Sequence, residues 1–150
     1  MQPSEVRRRV LEDHERIRQL LDEVEGLTRR FESGEQDAGP ALVEKGLLLH
    51  ETFCRHLDLE DDILARALRE ADAWGEERAA RLAREHREQR ELLSYLMSRL
   101  RDESRPTVLV ARELKNFAEL MREDMEQEES EALSDEVLRD DVITGDTQSG

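Results

Sequence analysis

The stretch Arg55–Leu64, "RHLDLEDDIL", places a histidine and a glutamate four residues apart among leucine and isoleucine residues. An α-helix turns by about 100° per residue, so residues three, four and seven apart lie on one face. On such a helix His56 and Glu60 share a face with apolar residues on both sides. Those apolar residues are Leu49, Phe53, Ile63 and Ala67. The pattern therefore predicts a helix that points a histidine and a glutamate into a protein core.

Apolar residues recur at helical spacing along the rest of the chain, which predicts four long helices. The breaks between them are "ESGEQDAGP" (32–40), "ADAWGEE" (71–77) and "RDESRP" (101–106). Gly34 is well placed to end the first helix, and Pro40 and Pro106 suit the first turns of the second and fourth. Long amphipathic helices with short connections predict an all-α, antiparallel up-down-up-down four-helix bundle.

The bundle is predicted to occupy residues 1–139. Its first helix is expected to begin near Pro3 or Ser4, with Ser4 as the N-cap, and its second to run from about Pro40 to about Glu70. A short C-terminal fifth helix is predicted from Ser134, because "SDEVL" combines a capping residue with an acidic first turn. Residues 140–150 have the composition of an acidic, flexible tail.

The composition narrows the classes of function. The 150 residues include 38 acidic and 23 basic side chains, which gives a net charge of -15. A surface this negative repels phosphate backbones, so nucleic acid is not expected as a partner. No apolar run reaches about 18 residues, so no membrane span is expected either. The N-terminus lacks an apolar signal segment, and the single Cys54 suits a reducing cytoplasm.

Each predicted helix points at least one side chain capable of binding a metal into the bundle. His14 and His86 lie on apolar faces of the first and third helices, and Asp124 and Glu128 share an apolar face of the fourth. An antiparallel bundle brings these positions to similar heights. A buried carboxylate is destabilising unless it is paired or bound to a metal. The inward set is His14, His56, Glu60, His86, Asp124 and Glu128.

Two interpretations account for this set. In the first, the side chains bind a metal, and imidazole with carboxylate but no thiolate cluster suits iron, manganese or zinc. In the second, the histidines and carboxylates only pair with one another, and the protein is a metal-free helical interaction module. The HxxxE and DxxxE spacings, together with histidines on two further helices, favour the metal.

Several neighbouring residues are not expected to bind a metal. His50 lies about 120° from the His56 face and Cys54 about 160° from it, so neither should point into the site. Tyr95 lies about 180° from His86. Asp61 and Glu129 adjoin the inward faces, and we expect them to be solvated or to support the ligands from outside.

The chain resembles the hemerythrin-like family of HHE cation-binding domains in four stretches: "EDHERIRQLLDEV" (12–24), "RHLDLEDDIL" (55–64), "REHREQRELLSYL" (84–96) and "REDMEQEESEAL" (122–133). This resemblance implies a non-haem di-iron centre in which each iron has its own ligands and two carboxylates bridge the pair. One iron takes His14 and His56, the other takes His86 and Asp124, and the bridges are Glu60 and Glu128. Ferritin-like di-iron bundles are disfavoured, because they use ExxH pairs and this sequence has none.

Two positions depart from the family pattern. Asp124 stands where the family has a fourth-helix histidine, and Arg90 stands where oxygen-carrying members have a further histidine on the third helix. We therefore expect a second iron position that is more open, more anionic or only partly occupied, and its anionic ligand argues against reversible oxygen carriage. The resemblance leaves reaction with oxygen, peroxide or nitric oxide, or the sensing and buffering of iron. It does not decide whether the protein is an enzyme, and the sequence specifies neither a protein partner nor an oligomeric state.

Overall fold

The computed structural model describes residues 1–102 and 108–140 of the chain. Its elements are α1 (Pro3–Glu32), α2 (Ala38–Leu59), a π-helical turn (Glu60–Leu64), α3 (Ala65–Ala71), α4 (Gly75–Asp102) and α5 (Val108–Ser130). The α2 helix, the π-helical turn and α3 follow one another without a break, so together they form the second long helix of the bundle. The predicted all-α four-helix bundle is confirmed. Within the described residues no strand is present.

The first helix begins at Pro3, one of its two predicted starts, but its N-cap residue differs from the prediction. Gln2, not Ser4, is its N-cap residue, and Ser4 lies inside the first turn. Asp140 satisfies this end of the helix, because its carboxylate accepts hydrogen bonds from Ser4 N at 3.0 Å and Ser4 Oγ at 2.7 Å. A carboxylate is favourable there because the N-terminus of a helix carries partial positive charge. At the other end, Gly34 follows the helix with a φ of 102°, as its predicted role requires.

The second long helix is not a uniform α-helix. It begins at Ala38, so Pro40 lies in its first turn, and the π-helical turn starts at Glu60. Hydrogen bonds in a π-helix span one more residue than in an α-helix, so the buried face shifts after it. Leu64 is therefore fully buried, whereas Ile63, predicted to face the core, is only half-buried. Such turns are frequent at functional sites.

Two apolar clusters fill the bundle on either side of a polar layer. The first contains Ile17, Phe53 and Met121, and the second contains Val10 and Leu64. His14 lies between Val10 and Ile17 along α1, so it separates the two clusters. Each fully buried aliphatic or aromatic side chain contributes about 1.5–3 kcal/mol. The clusters therefore hold the helices together on both sides of the polar layer and offset its burial.

The segment after α5 packs back onto the bundle. Residues 131–138 form turns, in which Leu138 N donates to Ser134 O at 2.9 Å. The short fifth helix predicted from Ser134 therefore takes the form of hydrogen-bonded turns. Leu133 and Leu138 are buried in the second cluster. Residues 141–150, which belong to the predicted flexible tail, lie outside the described residues, as does Pro106.

Across residues 1–102 and 108–140, no helix is both long enough and apolar enough to cross a bilayer.

Candidate metal centre

Three histidines surround Glu60 in the layer between the two apolar clusters. His14 is fully buried, and His56, Glu60 and His86 are at most 2% exposed. Glu60 Oε1 lies 3.1 Å from His56 Nε2 and 3.2 Å from His86 Nε2, and Glu60 Oε2 lies 3.8 Å from His14 Nε2. From α5, Glu128 Oε1 approaches His14 Nε2 to 3.1 Å. Imidazole nitrogens and carboxylate oxygens from four bundle helices thus face one another.

Three atoms at the centre of this layer lack a hydrogen-bond partner among the described residues: His14 Nε2, Glu60 Oε2 and Glu128 Oε1. His14 Nε2 and Glu128 Oε1 are close enough to bond, but their geometry is not that of a hydrogen bond. Buried polar atoms are rarely left unpaired, because losing water without gaining a partner is destabilising. A cation between these atoms would satisfy all three.

The donor atoms also fit a metal by distance and by chemistry. One ligand atom from each of His14, His56, Glu60 and Glu128 lies within 4.8 Å of all the others. Two imidazole nitrogens and two carboxylate oxygens suit iron, manganese or zinc. The residues present therefore fit the metal that the sequence pattern predicts.

A carboxylate on a neighbouring helix holds each histidine ring from outside. The pairs through Nδ1 are His14 with Glu129 and His56 with Asp13, both at 2.7 Å, and His86 with Asp61 at 2.6 Å. An ionised carboxylate can only accept, so Nδ1 donates its proton in each pair. The hydrogen bond fixes the ring and leaves Nε2, on the side of the site, to bind a metal or a second proton.

Arginines orient two of these carboxylates in turn. Arg18 Nη2 donates to Glu129 Oε1 at 2.7 Å, and Arg90 Nη2 donates to Asp61 Oδ2 at 2.8 Å. Arg90 stands where oxygen-carrying members of the family that the sequence resembles have a histidine. In this chain it reaches His86 only through Asp61.

The sequence analysis did not single out Asp13. It did name Asp61 and Glu129, which were expected to be solvated or to support the ligands from outside. All three directly precede or follow an inward residue, as Asp13 precedes His14. Because a helix turns by about 100° per residue, such a neighbour lies at the edge of the inward face and meets the adjacent helix. An acidic residue beside a candidate ligand is therefore the signal that could have found Asp13.

Burial and the carboxylates have opposite effects on the pKa values of the histidines. Burial lowers the pKa of His14, but Glu128 and Glu60 together raise it to about 10. Burial also lowers the pKa of His56, and the charge of Glu60 and the bond to Asp13 raise it to about 9. Burial raises the pKa of Glu60, but His56 and its other partners hold it well below its usual range. In the metal-free protein, protons on the histidines thus offset buried negative charge.

Glu128 titrates in the opposite direction. Burial, followed by the charge of Glu60, raises the pKa of Glu128 well above its usual range, and contact with His14 opposes this only in part. Two carboxylates in one buried layer cannot both ionise easily, so one of them tends to stay protonated. A bound cation would remove that restriction.

Asp124 lies at the edge of the layer, half-buried, and is not among the four residues whose ligand atoms cluster. Its Oδ2 accepts a hydrogen bond from Gln89 Nε2 at 2.9 Å. Asp124 and Gln89 line a cavity of about 460 Å³, which also touches His14, His56 and Glu60. The cavity extends between α4 and α5 to the exposed Trp74. The structure thus brings four predicted residues together, adds His86 through Glu60, and places Asp124 on the wall of the cavity.

Three residues were expected to lie outside the site. His50 and Cys54 do not belong to the metal-capable group found in the described part of the chain. Tyr95 is 52% exposed, and Cys54 packs against the first apolar cluster.

Comparison with protein families gives a match over most of the chain. The family model of the hemerythrin HHE cation binding domain matches residues 6–134, a range that contains all of the inward residues. No curated protein and no solved structure matches the chain.

Proposed function

The chain belongs to the hemerythrin HHE cation-binding family, and we propose that it holds a non-haem di-iron centre that interacts with oxygen, peroxide or nitric oxide, or that senses and buffers iron. The observation that carries this proposal is the convergence of three buried, unpaired atoms, His14 Nε2, Glu60 Oε2 and Glu128 Oε1. A metal-free network, the second candidate, should instead pair such atoms with one another. His14 Nε2 and Glu128 Oε1 lie 3.1 Å apart, but without the geometry of a hydrogen bond.

Each group of residues has a task in the proposed centre. His14 and His56 would hold one iron, His86 and Asp124 the other, and Glu60 and Glu128 would serve both. Iron bound there supplies redox chemistry and a coordination position for a small ligand. The outer carboxylates hold each Nδ1 proton and so keep Nε2 directed at the site.

The cavity between α4 and α5 supports access by a small ligand. Its volume of about 460 Å³ exceeds the space that a diatomic molecule or peroxide needs, and it extends to the surface. Phe53, Met121 and Met125 form an apolar part of its lining, whereas Glu85 and Asp124 add acidic groups. Negative charge along a path favours neutral molecules and cations over anions. The same route would therefore suit both iron and an uncharged ligand.

We also propose a cytoplasmic location. Cys54 is the only cysteine and is free, so the fold uses no internal disulfide. Such a composition is usual in a reducing compartment.

The first test is the metal content of the protein purified from iron-replete cells. We expect iron at up to two equivalents per chain and a near-ultraviolet absorption band from the iron pair, because the proposed ligands serve two positions. His50→Ala should leave the iron content unchanged, since His50 lies outside the site. Less than about a tenth of an equivalent of any transition metal after anaerobic reconstitution would contradict the proposal.

A second prediction concerns the outer carboxylates. Asp13→Asn removes the charged acceptor of the His56 Nδ1 proton, at 2.7 Å, without removing a proposed ligand. Loss of such a partner typically lowers metal affinity roughly 10–100-fold, and we expect a decrease in that range. Competition with a metal chelator measures it.

Asp62→Asn is the matched control for this measurement. Asp62 is exposed in the π-helical turn and pairs with Arg66 on the surface. Its substitution should not change the affinity. Equal affinities for the Asp13 and Asp62 variants would show that the outer carboxylate does not influence metal binding.

A further inference from the structure

We infer that Gln89 is the positioning residue for Asp124, and that this pair replaces a histidine–carboxylate pair with donor and acceptor exchanged. The inference rests on the proposed function for its consequence at the iron, but not for the contact itself. Gln89 Nε2 donates to Asp124 Oδ2 at 2.9 Å, and both side chains are half-buried.

The contact is one of four that run around the bundle. In each, a residue on one bundle helix reaches the inward residue of the next helix. The contacts are Asp13 to His56, Asp61 to His86, Gln89 to Asp124 and Glu129 to His14. These four contacts form a closed ring around the bundle, because α5 packs against α1. The pairing of Gln89 with Asp124 thus occupies the place where the other three helices have an acid and a histidine.

The residue types in the fourth contact follow from hydrogen-bond chemistry. In the other three contacts the inward imidazole donates and the outer carboxylate accepts. Asp124 is ionised when it acts as a ligand and can only accept, so its outer partner must donate. Gln89 supplies an amide N–H without adding charge. A carboxylate at position 89 would instead set two like charges at hydrogen-bond distance.

This exchange leaves the net charge of the pair unchanged, but it moves the negative charge from the outer residue to the inward one. With a neutral imidazole, each histidine–carboxylate pair carries one negative charge, located on the outer residue. The Gln89–Asp124 pair also carries one negative charge, but it is located on the inner residue. Gln89 therefore lets this chain place an anion beside the second iron position without raising the total charge of the ring.

The reciprocal exchange of residues tests the inference. The variants are Gln89→Glu, Asp124→His and the double variant that carries both changes. Gln89→Glu alone should lower the Tm of the metal-free protein and reduce its iron retention roughly 10-fold or more. In the Asp124→His background, Gln89→Glu should instead raise both the Tm and the iron retention, because it completes a fourth histidine–carboxylate pair. Gln19→Glu, which adds the same charge at an exposed position of α1, should change neither.

The sign of the effect is the deciding result. If Gln89→Glu acts in the same direction in both backgrounds, Gln89 does not position Asp124 and the inference is wrong. If Gln89→Glu does not fold alone, Gln89→Met replaces it. That change removes the donor without adding charge, and it should lower the Tm more with Asp124 present than with histidine there. A reversal in the metal-free Tm without iron binding in any variant would keep the positioning role and reject the iron centre.

Discussion

Replacing Glu60 with glutamine should lower iron affinity by more than roughly 100-fold, beyond the usual effect of losing a group that only supports a ligand. Glu60 is 1% exposed, and its two oxygens face the Nε2 atoms of His14, His56 and His86. Glutamine has the same shape, but its amide nitrogen can only donate and cannot bind a cation. Iron per chain after anaerobic reconstitution and desalting measures the loss.

The matched control for this variant is Glu51→Gln. Glu51 lies on the exposed side of α2 and pairs with Arg55, so it undergoes the same chemical change away from the layer. Its iron content should equal that of the unaltered protein. If Glu60→Gln retains the same iron as this control, Glu60 is not a ligand, and the layer is a hydrogen-bond network.

The metal-free protein should lose stability steeply as the pH rises above neutrality. The folded-state pKa of His14 is about 10 and that of His56 about 9, against a usual value of 6.5. A raised folded pKa stabilises the protein fully below pH 6.5, and this contribution is lost as the pH rises through the folded value. For His14 the loss is on the order of 5 kcal/mol. Thermal unfolding of the metal-free protein between pH 6 and 10 should show a falling Tm.

Loading with iron should largely remove this pH dependence. Metal and proton compete for the same Nε2 atoms, so uptake releases the protons that the metal-free protein holds. A metal that binds only the folded state adds about 4 kcal/mol when its free concentration is 1,000 times Kd. His50→Ala, a change outside the layer, should leave both pH profiles unaltered. Identical melting curves with and without iron would favour the metal-free network.

The bundle and the inward residues could be predicted from the sequence because both depend on helical periodicity. His14, His56 and Glu60 are flanked by apolar residues at spacings that leave one inward direction. The π-helical turn could not be predicted in this way. It changes the hydrogen-bond pattern without a distinctive residue type, and the buried position moved from Ile63 to Leu64 as a result.

The partners of the outer residues could not be predicted, for a different reason. Whether Asp13 meets His56 depends on which helix lies beside α1 and at what height, which periodicity does not specify. Asp124 illustrates the same limit, because its inward face was predictable but its partner Gln89 was not. Pairings between helices become visible only when the helices are packed.

The two apolar clusters on either side of the polar layer have a consequence for how a metal is taken up. They fix the helices above and below the histidines independently of anything bound between them. The donor atoms are therefore preorganised, and little conformational entropy remains to be lost when a cation arrives. A cation can then enter along the cavity between α4 and α5 with local motions of its lining, which need less free energy than unfolding. The proposed metal would in this way enter and leave a scaffold that stays folded throughout.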